Sequence, residues 1–146
     1  MIRFLVSLVV CIIGIFYSFF ISSGSIPVFF DFPSIIIIGI FPFIYVCILF
    51  GFKDMVAAFS TALKKEEGKD KLILALTFFK KYEKIIWIMG FINTIICVII
   101  ALRNIDDIPA IGPNFSLALI PLLYCGIINL VIIIPFTLFI KKQLRY

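Results

Sequence analysis

Hydrophobic positions fall into four long blocks, at approximately 4–21, 35–52, 85–102 and 115–140, separated by shorter polar stretches. Each block is about 18 residues or longer, and at about 1.5 Å per residue such a helix crosses a hydrocarbon core about 30 Å thick. Helices of this kind satisfy their own backbone hydrogen bonds in lipid. The pattern therefore predicts an all-α, polytopic membrane protein with four transmembrane helices, a single membrane domain over residues 1–146, and a short helical segment at 53–84 between the second and third spans.

The polar stretches supply the punctuation. Pro27 and Pro33 frame the first connection, and Ser34 is placed to cap the second helix. After Phe52, Met55, Val56, Phe59, Ala62 and Leu63 recur at helical spacing, and Leu72, Ala75, Leu76 and Phe79 do so again after Gly68. These stripes either pack on each other, lie on the lipid surface or dock a partner. The stretch Asn104-Ile105-Asp106-Asp107-Ile108-Pro109-Ala110-Ile111-Gly112-Pro113 reads as a hairpin turn, with Asn114 or Ser116 capping the fourth helix. Pro121 and Pro135 lie inside the fourth block and predict kinks, because proline removes a backbone donor.

Charge orients the four spans. Of 13 Lys and Arg residues, eight lysines lie between the second and third blocks, while Arg3 precedes the first block and Lys141, Lys142 and Arg145 follow the last. These twelve fall on one side of a four-span arrangement, so both termini and the middle segment are expected to be cytoplasmic. The net charge of +5 then reflects topology and attraction to anionic lipid, and no nucleic-acid partner is expected. Arg3 followed by an apolar block and Ser22-Ser23-Gly24-Ser25 has the outline of a secretory signal. The apolar region is longer than the roughly 7 to 15 residues such signals use, and the block is expected to remain as a span.

Chemistry-bearing residues are few. The chain has no histidine, and Cys11, Cys47, Cys97 and Cys125 fall one to a block without CxxC spacing, as buried small apolar residues do. No metal, no cofactor and no enzymatic activity are expected. No Asp, Glu, Lys, Arg or His lies inside a block, so a proton-coupled role requires a carboxylate from another subunit. The polar groups left inside are Asn93, Thr94, Tyr124 and Asn129. A buried Thr ordinarily bonds the carbonyl one turn back, and a membrane Asn ordinarily bonds across helices.

Met89-Gly90-Phe91-Ile92-Asn93-Thr94, Leu102 to Asp107, Ala110 to Pro113, Ala118-Leu119, Tyr124, Asn129-Leu130 and Pro135 together resemble the third and fourth spans of MotA-type flagellar stator proteins. Asp31-Phe32-Pro33-Ser34-Ile35-Ile36-Ile37, Phe52-Lys53-Asp54 and Ala58-Phe59 resemble the second span and its cytoplasmic exit. The resemblance extends over all four spans and is to the MotA/TolQ/ExbB proton-channel family, closest to a shortened MotA-type subunit.

What the resemblance implies is a ring, a pentamer in MotA-type stators, around a MotB-like single-span partner that supplies the proton-binding Asp. It places the chain in the bacterial inner membrane, in a proton-driven stator or related force-transmitting complex. Thr94 matches the family's third-span Thr that faces this Asp, with Asn93, Tyr124 and Asn129 as further ion-path candidates. Pro135 matches the proline that couples ion passage to motion, with Pro121 as a second coupling candidate. Lys64, Lys65, Glu66 and Glu67 are candidates for a charged cytoplasmic contact, such as one with a rotor. Trp87 stands where the family has a proline, Asn93 where it has a small residue, and Pro121-Leu122 where it has hydroxyls. These differences favour an alternative, a non-conducting assembly or regulatory relative of the family.

Overall fold

The computed structural model describes residues 2–21, 29–64, 68–103 and 108–144. Ser22 to Ser25, Pro27, Lys65 to Glu67, Asn104 to Asp107 and Arg145 lie outside the described residues. All elements among those described are helical: α1 (Ile2–Ile21), α2 (Phe32–Ile35), α3 (Phe41–Phe50), α4 (Phe52–Leu63), α5 (Lys69–Arg103), α6 (Ile108–Ile128) and α7 (Ile134–Leu144). A π-helical turn, Ile36–Ile40, joins α2 to α3, and a second, Asn129–Ile133, joins α6 to α7. Phe32–Phe50, Lys69–Arg103 and Ile108–Leu144 are long and apolar enough to cross a membrane, while the apolar stretch Leu8–Ile21 of α1 is shorter.

The two π turns have one cause. Each ends two residues before a buried proline, Pro42 or Pro135. The pyrrolidine ring offers no donor and crowds the carbonyl four residues back, that of Ile38 or Val131, and a wider turn relieves the crowding. The kink expected at Pro135 is thus a local widening. Gly51 separates α3 from α4 at φ 85° and ψ 149°, a conformation open to glycine alone.

The 35-residue α5 is the axis of the fold, about 52 Å long. Its buried residues Leu72, Ala75, Phe79, Tyr82, Ile86, Gly90, Asn93 and Ala101 follow one helical stripe, which keeps the middle segment and the third span in one straight helix. Towards its N-terminal end α5 carries an aromatic cluster. Phe59 of α4 meets Phe78, Phe79 and Phe136 edge-on at centroid distances of 5.8, 5.2 and 5.6 Å, and Phe79 stacks on Phe136 at 5.2 Å. Such geometry adds about 0.5–1.5 kcal/mol per pair beyond area burial. The α4 stripe thus packs on α5 and α7.

Three local expectations are corrected. The turn-rich reading of Asn104 to Pro113 is too long, because α6 begins at Ile108 and includes Pro109, Gly112 and Pro113. Pro109 lies in the first helical turn, where proline is tolerated because the N–H has no intrahelical acceptor, whereas Pro113 lies inside the helix. Asn114 and Ser116 therefore lie within α6, and the Ser116 hydroxyl donates to the Pro113 carbonyl at 2.7 Å rather than capping. At the second helix the cap position is Asp31, so Ser34 lies inside the helix.

Candidate polar site within the helical bundle

α5 and α6 approach each other closely at Gly90. A Cβ on Gly90 would lie 2.1 Å from Cys125 Sγ, 3.5 Å from Cys125 Cβ and 3.7 Å from the Pro121 carbonyl oxygen. The Cys125 thiol donates to the Ile86 carbonyl at 3.3 Å. Small residues at such a crossing let two apolar helices come close without a polar contact. Pro121, offered by the sequence as a coupling residue, is buried at this crossing. Because α5 and α6 run antiparallel here, the contact also fixes their relative depth.

The four ion-path candidates fall into three places. Asn93 is 8% exposed on the α5 stripe, one turn beyond Gly90. Thr94 beside it is half-buried, and its hydroxyl has no hydrogen-bond partner among the described residues, so the expected bond to the carbonyl one turn back is not made. Both sit at the midpoint of the apolar run Ile85 to Leu102, which exposed Lys84 and Arg103 bound. Asn129 begins the second π turn, is 5% exposed and leaves its Oδ1 unpartnered. It lines a groove of about 630 Å³ with Ile15, Glu83, Trp87, Gly126 and Leu130. With Gly90 level with Cys125, Asn93 lies three residues to one side of the crossing and Asn129 four residues to the other, so the two amides are separated by about 10 Å of rise.

Tyr124 serves a different contact. Its hydroxyl donates to the Phe29 carbonyl at 2.5 Å and accepts the Asp31 N–H at 3.1 Å, which ties the segment before α2 onto the side of α6. Asp31 occupies the N-cap position without a side-chain capping bond, and its carboxylate instead accepts the hydroxyl of Ser34, a residue 2% exposed. Of this cluster, sequence reasoning placed Asp31 in the first connection and Ser34 at the cap of the second helix. The only signal for them is the run Asp31-Phe32-Pro33-Ser34, which reads as a helix start and carries no depth.

The remaining candidates lie towards the other end. Pro135 is buried directly after the second π turn. Exposed Lys64 closes α4, and its carbonyl accepts Gln143 Nε2 of α7 at 2.9 Å. Lys65, Glu66 and Glu67 lie outside the described residues. A second groove, about 420 Å³, is lined by Phe41, Tyr45, Ile48, Ile85, Ile88 and Met89 and has apolar walls. No protein-family model matches the chain, and no curated protein matches it.

Proposed function

We propose that the chain is a MotA-like membrane subunit with four spans and cytoplasmic termini, working in the bacterial inner membrane. In this reading several copies, five by the family pattern, ring a MotB-like single-span partner whose Asp takes up protons beside Thr94. The observation that carries it is the Thr94 hydroxyl, buried at the midpoint of the apolar run with no partner among the described residues. An unsatisfied buried hydroxyl costs about 1–3 kcal/mol, and a carboxyl group from outside the chain would satisfy it. Neutralising that carboxylate in an apolar setting changes which helix packing is favoured, and the proline-widened turn before Pro135 gives α7 a place to respond.

The experiment is co-expression with a MotB-like partner, co-purification, and proton flux into reconstituted vesicles. The expected result is partner-dependent flux that falls at least tenfold in Thr94→Ala, with assembly retained. Flux that is absent, or indifferent to Thr94→Ala, refutes the conducting form. The alternative, a non-conducting assembly or regulatory relative, is favoured by Asn93, whose buried amide fills the stripe where a smaller residue would open a path. Stable partner capture without proton leak supports that second reading.

A further inference from the structure

We propose that the groove between α5 and the second π turn binds one phospholipid with a primary ammonium headgroup, the ammonium held by Glu83 and the ring of Trp87. The inference goes beyond the stator reading and requires no partner subunit.

The groove has the length of one leaflet. With Gly90 level with Cys125 and the two helices antiparallel, Leu122 at one end of the groove is level with Asn93, the midpoint of the apolar run, and Ile134 at the other end is level with Lys81. From Leu122 to Ile134 is about 18 Å of rise, against about 15 Å for half a hydrocarbon core. Polarity follows the same axis. Leu122, Leu123 and Gly126 line the deep end, whereas Glu83 lies next to Lys84, the exposed residue that bounds the apolar run. Gly126 keeps the groove open, since a Cβ there would meet nothing within 4 Å, and Ile15 of α1 adds a further apolar wall. The volume, about 630 Å³, falls within the range of about 300–1,000 Å³ usual for small-molecule sites. A lipid laid in this groove has an acyl chain against the leucines and its headgroup at Glu83.

The polar end suits a cation that donates hydrogen bonds. Glu83 is half-buried and makes no ion pair among the described residues, while the neighbouring Lys80, Lys81 and Lys84 are exposed. Trp87, one turn further along α5 and lining the same groove, is 43% exposed, and an indole face attracts a cation. Asn129, which also lines the groove, leaves its Oδ1 without a partner among the described residues. Two acceptors and an aromatic ring match a primary ammonium, which carries a full charge and three N–H donors. A choline headgroup carries the charge without a donor. A glycerol headgroup leaves the phosphate charge unbalanced against Glu83. The exposed lysines draw anionic lipid to this level of the membrane in general, so a preference for an ammonium lipid has to come from Glu83.

Trp87 is the single tryptophan of the chain, so its fluorescence reports on the groove. The test reconstitutes the full chain in bilayers of constant headgroup composition, a mixture of phosphatidylethanolamine, phosphatidylcholine and phosphatidylglycerol, in which one lipid at a time is brominated on its upper acyl carbons to quench on contact. Brominated phosphatidylethanolamine is expected to quench Trp87 with a relative association constant at least threefold above that of either other lipid. Glu83→Gln, which removes the charge and keeps the shape, should abolish that preference. Equal quenching by the three lipids, stronger quenching by phosphatidylglycerol, or a preference unaltered in Glu83→Gln overturns the site. Gly126→Leu, at a position with open space, should fill the groove and protect Trp87 from all three lipids. Undiminished quenching in Gly126→Leu overturns the groove as the place of binding. No partner and no proton flux enter the measurement, so its failure is distinguishable from failure of the stator reading.

Discussion

Replacing Gly90 by Ala places a methyl carbon 2.1 Å from Cys125 Sγ, well inside the contact distance of carbon and sulfur. Either the sulfur turns away from the Ile86 carbonyl or the two helices separate. Overpacking of this kind costs about 1–3 kcal/mol. Alanine also gains up to about 1 kcal/mol over glycine in a helix interior, which offsets part of that cost. The net expectation for Gly90→Ala is a loss of about 1–2 kcal/mol.

The same geometry fixes what happens when the sulfur is removed first. In Cys125→Ala the nearest atoms to the new methyl are the Cβ of residue 125 at 3.5 Å and the Pro121 carbonyl oxygen at 3.7 Å, both ordinary contacts. Gly90→Ala in that background should therefore be neutral or stabilising by up to about 1 kcal/mol, giving a coupling energy of about 2 kcal/mol across the pair. Reversible unfolding of the four proteins of the cycle, in mixed micelles titrated with a denaturing detergent, measures each term. A cost for Gly90→Ala that is equal in both backgrounds would refute the crossing at Gly90.

Tyr124→Phe removes the donor to the Phe29 carbonyl and the acceptor of the Asp31 N–H, for a loss of about 1–2 kcal/mol. Hydrogen exchange should quicken at Asp31 and leave the amides of Leu72 to Tyr82 unchanged. Phe59→Ala empties the centre of the aromatic cluster and should cost about 3 kcal/mol, read as protease cleavage within α4. Pro135→Ala restores a donor to the Val131 carbonyl and should stabilise the free subunit, by up to about 3 kcal/mol, while lowering partner-dependent proton flux. A destabilised Pro135→Ala protein would contradict the origin assigned to the π turn.

The helical class and the long apolar stretches are legible because block length and stripe spacing are local properties. The stripe from Leu72 to Phe79 continues through Gly90 and Asn93, so the unbroken α5 can be read from residues three and four apart. Pro109 misled for a local reason as well, since the same residue that makes turns is accepted in the first turn of a helix, while Gly112 and Pro113 are carried inside α6 against their local preference. The attachment of the segment before α2 to α6 has no local signature, because the Asp31 N–H is held by Tyr124, 93 residues away. Asn93, Thr94, Tyr124 and Asn129 share polarity in an apolar setting, and sequence spacing cannot divide them among three separate places.

The Gly90–Cys125 crossing divides the bundle into unequal halves. On the side of Lys69, α5 is packed by α3, α4 and α7, and the aromatic cluster links α4, α5 and α7, whereas α6 packs on α5 chiefly from Gly90 towards Arg103. On the side of Arg103, Phe91, Ile92, Ile95, Ile96 and Ile99 of α5 and Leu117 and Leu119 of α6 are exposed, and the buried contacts reduce to Asn93, Ala101, Ala118 and Ile120. Asn93 and Thr94 lie on α5 immediately past the crossing. Pro135 and its widened turn lie in the packed half, where a displacement of α6 has a defined place to be absorbed.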